Sequence, residues 1–119
     1  MSEGAGAASA PITWDDFVKV DVRVGRIVAV EPFPEARTPA YKLRVDFGEL
    51  GERRSSAQIT TRYRAEELAG RLVVAVVNVP PKRVAGFLSE VLVLGVYAAE
   101  DDVVLLQPDQ DVAPGRRVA

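Results

Sequence analysis

Neither cysteine nor histidine occurs among the 119 residues. The first absence excludes disulfides, thiolate metal sites and cysteine nucleophiles, and it fits a reducing cytoplasm. The second excludes far more, because without imidazole there is no Ser-His-Asp triad, no His-ligated zinc and no ordinary neutral-pH proton shuttle. Long apolar runs are missing too. The longest, Leu72 to Val77, could make a buried strand but is far too short to span a bilayer, so no integral membrane association is expected. The nine glycines are scattered, with no G-x-x-x-x-G-K-[ST] or G-x-G-x-x-G cradle among them. No cofactor, no metal and no catalytic activity are expected.

What is present is the composition of a folded protein, with 48% hydrophobic and 27% charged residues. The length suits one domain, read here as residues 12–119 after a Gly/Ala/Ser-rich flexible tail over 1–11 that lacks the features of a signal peptide. The formal net charge of −2 argues against coating nucleic acid by charge alone. Its distribution is uneven: residues 53–88 hold seven basic and two acidic side chains, and the segments on either side are acidic. The middle of the chain is a basic island.

Thr13-Trp14-Asp15-Asp16 places a hydroxyl three residues before a carboxylate, predicting a capped helix over about Trp14 to Lys19. Its apolar face, Trp14, Phe17 and Val18, needs a partner, either its own barrel or a second copy. From Val20 the period changes to two, predicting a long first strand to Val30 bent at Gly25. The three prolines between Glu31 and Pro39 impose a stiff exposed loop. Further strands are predicted over Tyr41–Phe47, Arg53–Ile59, Leu72–Val77, Val91–Val96 and Val103–Gln107, with one helical turn at Arg64–Leu68. The expectation is an all-β, five-stranded Greek-key barrel of the OB type. A short helix lies between strands 3 and 4, with an N-terminal helix and a C-terminal extension.

The acidic pairs Asp15/Asp16, Glu66/Glu67 and Asp101/Asp102 sit at helix starts and a turn, where solvated carboxylates are ordinary. Adjacent carboxylates also diverge. Ser55-Ser56 have no visible base partner. The most distinctive stretch is Asn78 to Glu90, where two prolines fix the exit from a buried strand, Lys82 and Arg83 follow, and Gly86 permits a tight return. A rigid loop presenting cations beside Arg53, Arg54, Arg62 and Arg64 could track a phosphate backbone.

The blocks Val20–Val28, Pro34–Ala36, Leu43–Gly48 and Val76–Ser89 resemble the tRNA-binding domain family, found appended to methionyl-tRNA synthetases. Phe33–Arg37, Ser55–Thr60, Pro80–Phe87, Ser89–Gly95 and Val103–Gln110 are similar to its CsaA group of free-standing export-related chaperones. This resemblance implies a homodimer that binds unfolded preproteins or peptides and supports secretion, with a translocase component as a further partner. Candidate peptide contacts are Phe33, Tyr41 and Phe87, while Phe47 is assigned to the core. The alternative is a free-standing tRNA-binding module that uses Arg53, Arg62, Arg64, Asn78, Lys82, Arg83 and Ser89, with Tyr63 or Phe87 for stacking. Glu90-Val91-Leu92 and Ala57 depart from the tRNA-binding pattern, and a carboxylate at Glu90 is expected to repel phosphate.

Overall fold

The computed structural model describes residues 7–119; residues 1–6, part of the expected tail, lie outside it. Residues 7–13 are exposed and carry neither helix nor strand. Helix α1 (Trp14–Val18) begins as predicted, with the Asp16 N–H donating to Thr13 Oγ1 at 3.0 Å and the Thr13 N–H to Asp16 Oδ2 at 3.3 Å. None of its residues is buried, and Trp14 is 84% exposed. The apolar face of α1 is not packed on the barrel.

Strand β1 (Val22–Pro32) organises the sheet. Strands β2 (Tyr41–Asp46) and β4 (Leu72–Val76) both pair with it antiparallel, β4 along Val22 to Arg26 and β2 from Arg26 onward. The single long strand therefore serves both sides of the barrel. The expected bend lies slightly later than Gly25: the register slips at Val28, between the pairings of Ile27 and Ala29. Gly25 answers a different need. A Cβ there would lie 2.5 Å from Val45 Cγ1 and 2.7 Å from the Phe47 ring, so the core occupies the space a side chain would take.

Strand β3 (Glu52–Ala57) pairs with β2, and α2 (Ala65–Leu68) follows, burying Leu68 completely against Ile27, Leu43, Val45, Phe47 and Val73 in one hydrophobic cluster. The segment expected as a loop folds into a hairpin, β5 (Lys82–Val84) against β6 (Phe87–Ser89). Ala85 and Gly86 have φ of 45° and 83°, the positive values a two-residue I′ turn requires. β7 (Leu92–Val93) then pairs with β4, completing the order β3-β2-β1-β4-β7.

One backbone bond and three side chains close the remaining seam between β3 and the β6–β7 segment. The Glu90 N–H donates to the Arg54 carbonyl at 2.7 Å, and the Arg54 N–H returns to Glu90 Oε1 at 2.8 Å. The Ser56 N–H donates to Ser89 Oγ, and the buried Ser55 hydroxyl reaches the Val91 carbonyl at 3.2 Å. The result is the expected OB-like five-stranded barrel with its helix between strands 3 and 4.

The end of the chain departs from expectation. Instead of two long barrel strands, β8 (Gly95–Ala99) and β9 (Asp102–Leu105) form a separate hairpin, and every β8 residue is exposed. Leu94 still donates to the Val74 carbonyl, but at Gly95 the chain leaves the sheet, with Val103 and Val104 in the space a side chain would need. Further on, Gly115 and Val118 donate to the Val24 and Val22 carbonyls, so the extension lies along β1 as a short added strand. Among the described residues, no helix is long and apolar enough to cross a membrane.

Gly25→Ala is expected to cost about 1–3 kcal/mol through forced displacement of Val45 and Phe47. Urea unfolding should show a lower midpoint with an unchanged slope.

Candidate binding groove

A groove of about 700 Å³ opens between the barrel and the β5–β6 hairpin. The proline-stiffened loop contributes Ala36, Arg37, Thr38 and Ala40 to one wall. β3 and the residue just past it supply Ser56 and Gln58. The opposite wall is Val79, Pro80, Lys82, Arg83 and Val84, closed by Ser89, Val91 and Leu92. Three cations, two hydroxyl-bearing serines, a threonine and an amide therefore share the lining with small apolar side chains. No carboxylate and no aromatic ring is among the lining residues.

Of the residues singled out for RNA contact, the groove gathers Lys82, Arg83 and Ser89. Ser89 is partly engaged, since its Oγ accepts the Ser56 N–H at 3.0 Å. Arg53, on the β3 alternation of the buried Ser55 and Ala57, donates to the Leu50 carbonyl. Arg64 begins α2 and pairs with Glu67. Arg62 is held by both oxygens of Asp102 at 2.7 and 2.6 Å. Asn78 hydrogen-bonds backbone at the α1–β1 junction. These four lie outside the groove lining.

The three aromatics expected to form a peptide-binding wall are also absent from it. Phe33 is 4% exposed and meets Phe87 edge to face, with ring centroids 5.5 Å apart. Lys42 Nζ sits 4.8 Å from the Phe33 ring centroid and 5.5 Å from that of Phe87, and the Arg54 guanidinium lies 5.5 Å from Phe87. Interleaved rings and cations of this kind attract one another and tie the proline loop, β2, β3 and the hairpin together. Tyr41 donates its hydroxyl to the Tyr63 carbonyl, and the buried Tyr63 hydroxyl accepts the Leu105 N–H, so Tyr63 cannot stack on a base. Glu90 is likewise occupied: its carboxylate accepts the Arg54 N–H and lies 3.7 Å from the Arg54 guanidinium, which offsets its charge.

Arg37, Thr38, Ser56 and Gln58 went unremarked as site residues. For Arg37 and Thr38 the signal was the proline loop itself, since a stiff loop held by a barrel is where ligand contacts concentrate; Ser56 and Gln58 join them only through the fold.

A second cleft, about 420 Å³, lies between Phe17, Val18 and Val20 on one side and Arg117, Val118 and Ala119 on the other. It is fixed by an ion cluster in which Arg23 bonds Asp21 at 2.6 Å and Arg117 reaches the same carboxylate at 3.7 Å. The hydrogen bond from Arg23 holds the Asp21 carboxyl below its ordinary range, and Arg62 does the same for Asp102.

Residues 22–117 match the family model described as "Putative tRNA binding domain". The chain belongs to the tRNA-binding domain family. A curated relative, Methionine--tRNA ligase 1 of Sorangium cellulosum (strain So ce56), is 43% identical over 98% of this chain. The chain spans only 17% of that enzyme. Two solved structures of the family's fold match over their full length and 92% of this chain. The chaperone CsaA of Bacillus anthracis str. Ames gives a TM-score of 0.89 at 54% identity, and the CsaA chaperone protein of Picrophilus torridus 0.84 at 50%. The tRNA-binding barrel is thus preserved around a groove whose lining is small, cationic and free of rings.

Because folding depresses the Asp102 pKa, the Arg62–Asp102 pair contributes fully above the unfolded carboxyl value, about pH 4, and its contribution is lost as pH falls through the folded one. Asp102→Asn should flatten that part of the acid limb when unfolding is followed from about pH 5 to pH 2.

Proposed function

We propose that this chain is a molecular chaperone of the cytoplasm, whose groove holds extended segments of unfolded preproteins and so assists their secretion. The observation that carries this reading is the groove lining. Val79, Pro80, Val84, Val91 and Leu92 offer apolar surface for alternate side chains of an extended peptide, while Ser56, Gln58 and Ser89 offer polar groups to its backbone. Prolines on both walls limit the ordering entropy that binding must overcome. Similarity to two CsaA chaperones over nearly the whole chain supports the same reading. A homodimer would cover the exposed face of Trp14, Phe17 and Val18, and a translocase component is a further partner on this view.

A second reading is favoured by Arg37, Lys82 and Arg83 in a groove with no lining carboxylate. That arrangement suits the phosphate backbone of tRNA, as the family match does. With no ring in the lining, such binding would rest on phosphate contacts and would show little preference among bases.

Paired titrations separate the two. A fluorescent unfolded-preprotein peptide and bulk tRNA are each titrated into the same sample at about 50 and 200 mM salt. The chaperone reading expects peptide binding that persists at the higher salt. Absent peptide binding, with tRNA binding that weakens steeply with salt and whose salt slope falls by about two in Lys82→Ala/Arg83→Ala, would replace it with the tRNA reading.

A further inference from the structure

Asn78 stands where the chain leaves β4 for the groove wall. Its Oδ1 accepts the Asp21 N–H at 2.8 Å and its Nδ2 donates to the Lys19 carbonyl at 2.6 Å. The partners lie 57 and 59 residues back in sequence, at the junction of α1 and β1. The carboxamide supplies an acceptor and a donor on one short planar group, which neither an ionised Asp nor a hydrophobic residue of similar size can do. Val77, one residue earlier, donates to the Asp21 carbonyl at 2.9 Å, which fixes the backbone on the other side of the same junction.

The residues that follow transmit this anchoring. Pro80 and Pro81 have fixed φ, so fewer backbone rotations remain to absorb a displacement at residue 78 before it reaches the hairpin. Lys82 and Arg83 come next, on a hairpin whose turn is rigidly specified by Ala85 and Gly86. We infer that Asn78 is a positioning residue for the cationic groove: its carboxamide, without touching ligand, sets the angle at which Pro80–Pro81 deliver Lys82 and Arg83 to the groove. This rests on the reading of that groove as the binding site, and it gives Asn78 a different role from the RNA contact its place in the sequence pattern implied.

The test uses Asn78→Ala and Asn78→Asp in the full chain, read first without ligand. Amide resonances of Val79 and Lys82–Gly86 should shift in Asn78→Ala relative to wild type. In Asn78→Asp an ionised carboxylate would face the Lys19 carbonyl oxygen where the amide donated, so the same resonances should shift at neutral pH. They should return toward wild-type positions once acid protonates the new side chain and restores a donor. The charged neighbours at this junction, Asp21 with Arg23 and Arg117, are present in both proteins, so the step is read as the difference from wild type. Probe binding is read second, with a short oligouridylate and the preprotein peptide. Whichever probe wild type binds should bind about tenfold more weakly to Asn78→Ala, as expected if the unanchored hairpin holds the binding-competent angle about a tenth of the time.

Unmoved hairpin resonances in both variants would overturn the positioning role whatever binding does. So would moved resonances with undiminished binding, when Lys82→Ala/Arg83→Ala has abolished it. If Lys82→Ala/Arg83→Ala binds both probes like wild type, the reading of the groove has failed, and the role of Asn78 as its positioning residue falls with it.

Discussion

The fold depends on β1 having more neighbours than one edge-to-edge pairing would supply. Along its first half it carries β4 on one side and the returning C-terminal segment on the other; beyond Arg26 it carries β2. This is possible only because the strand twists through the slip at Val28 and has no side chain at Gly25, where Val45 and Phe47 press against it. The same crowding recurs beside it, where a Cβ on Gly48 would meet the Pro114 carbonyl and one on Gly115 the Phe47 carbonyl. Backbone-to-backbone contact of this closeness leaves no alternative register, so the barrel position of every groove element follows from β1.

Closure of the opposite seam is chemically different. Between β3 and the β6–β7 segment a regular ladder gives way to Glu90, Ser89 and Ser55 acting as substitutes for missing backbone partners. The consequence for the site is that polar residues in the distinctive motifs have divided duties. Ser89 lines the groove and closes the barrel, and Glu90 neutralises Arg54 while completing the strand. Reading such residues as ligand contacts from their position in a motif overstates how much of their hydrogen-bonding capacity is free.

Periodicity made most of the barrel legible. The Thr13/Asp16 cap, the alternation of β1 to β3, the helical turn ending in the buried Leu68 and the continuous apolar run of β4 were all local signals. What escaped depended on tertiary context. Val91 to Val96 reads as one strand, but the chain leaves the sheet at Gly95, and nothing local announces that Val103 crosses there. Phe33 and Phe87 look like exposed groove aromatics in a proline loop and a turn, yet they meet each other and Lys42 across 54 residues of sequence. Arg62 belonged to the basic island, and its pairing with Asp102, 40 residues further on, shows only in the fold.

The C-terminal strand beside β1 has a further consequence, for the order of folding. Arg23 reaches the Gly115 carbonyl across 92 residues, and Val24 exchanges backbone bonds with Gly115 and Arg116. Closing a loop of that length carries a large entropic cost that local contacts must first offset. A ribosome-bound chain that ends short of Arg116 can form the β1–β2–β3 meander but leaves one edge of β1 open. Until synthesis passes that point, the nascent chain presents an unpaired strand edge of the kind a chaperone would recognise.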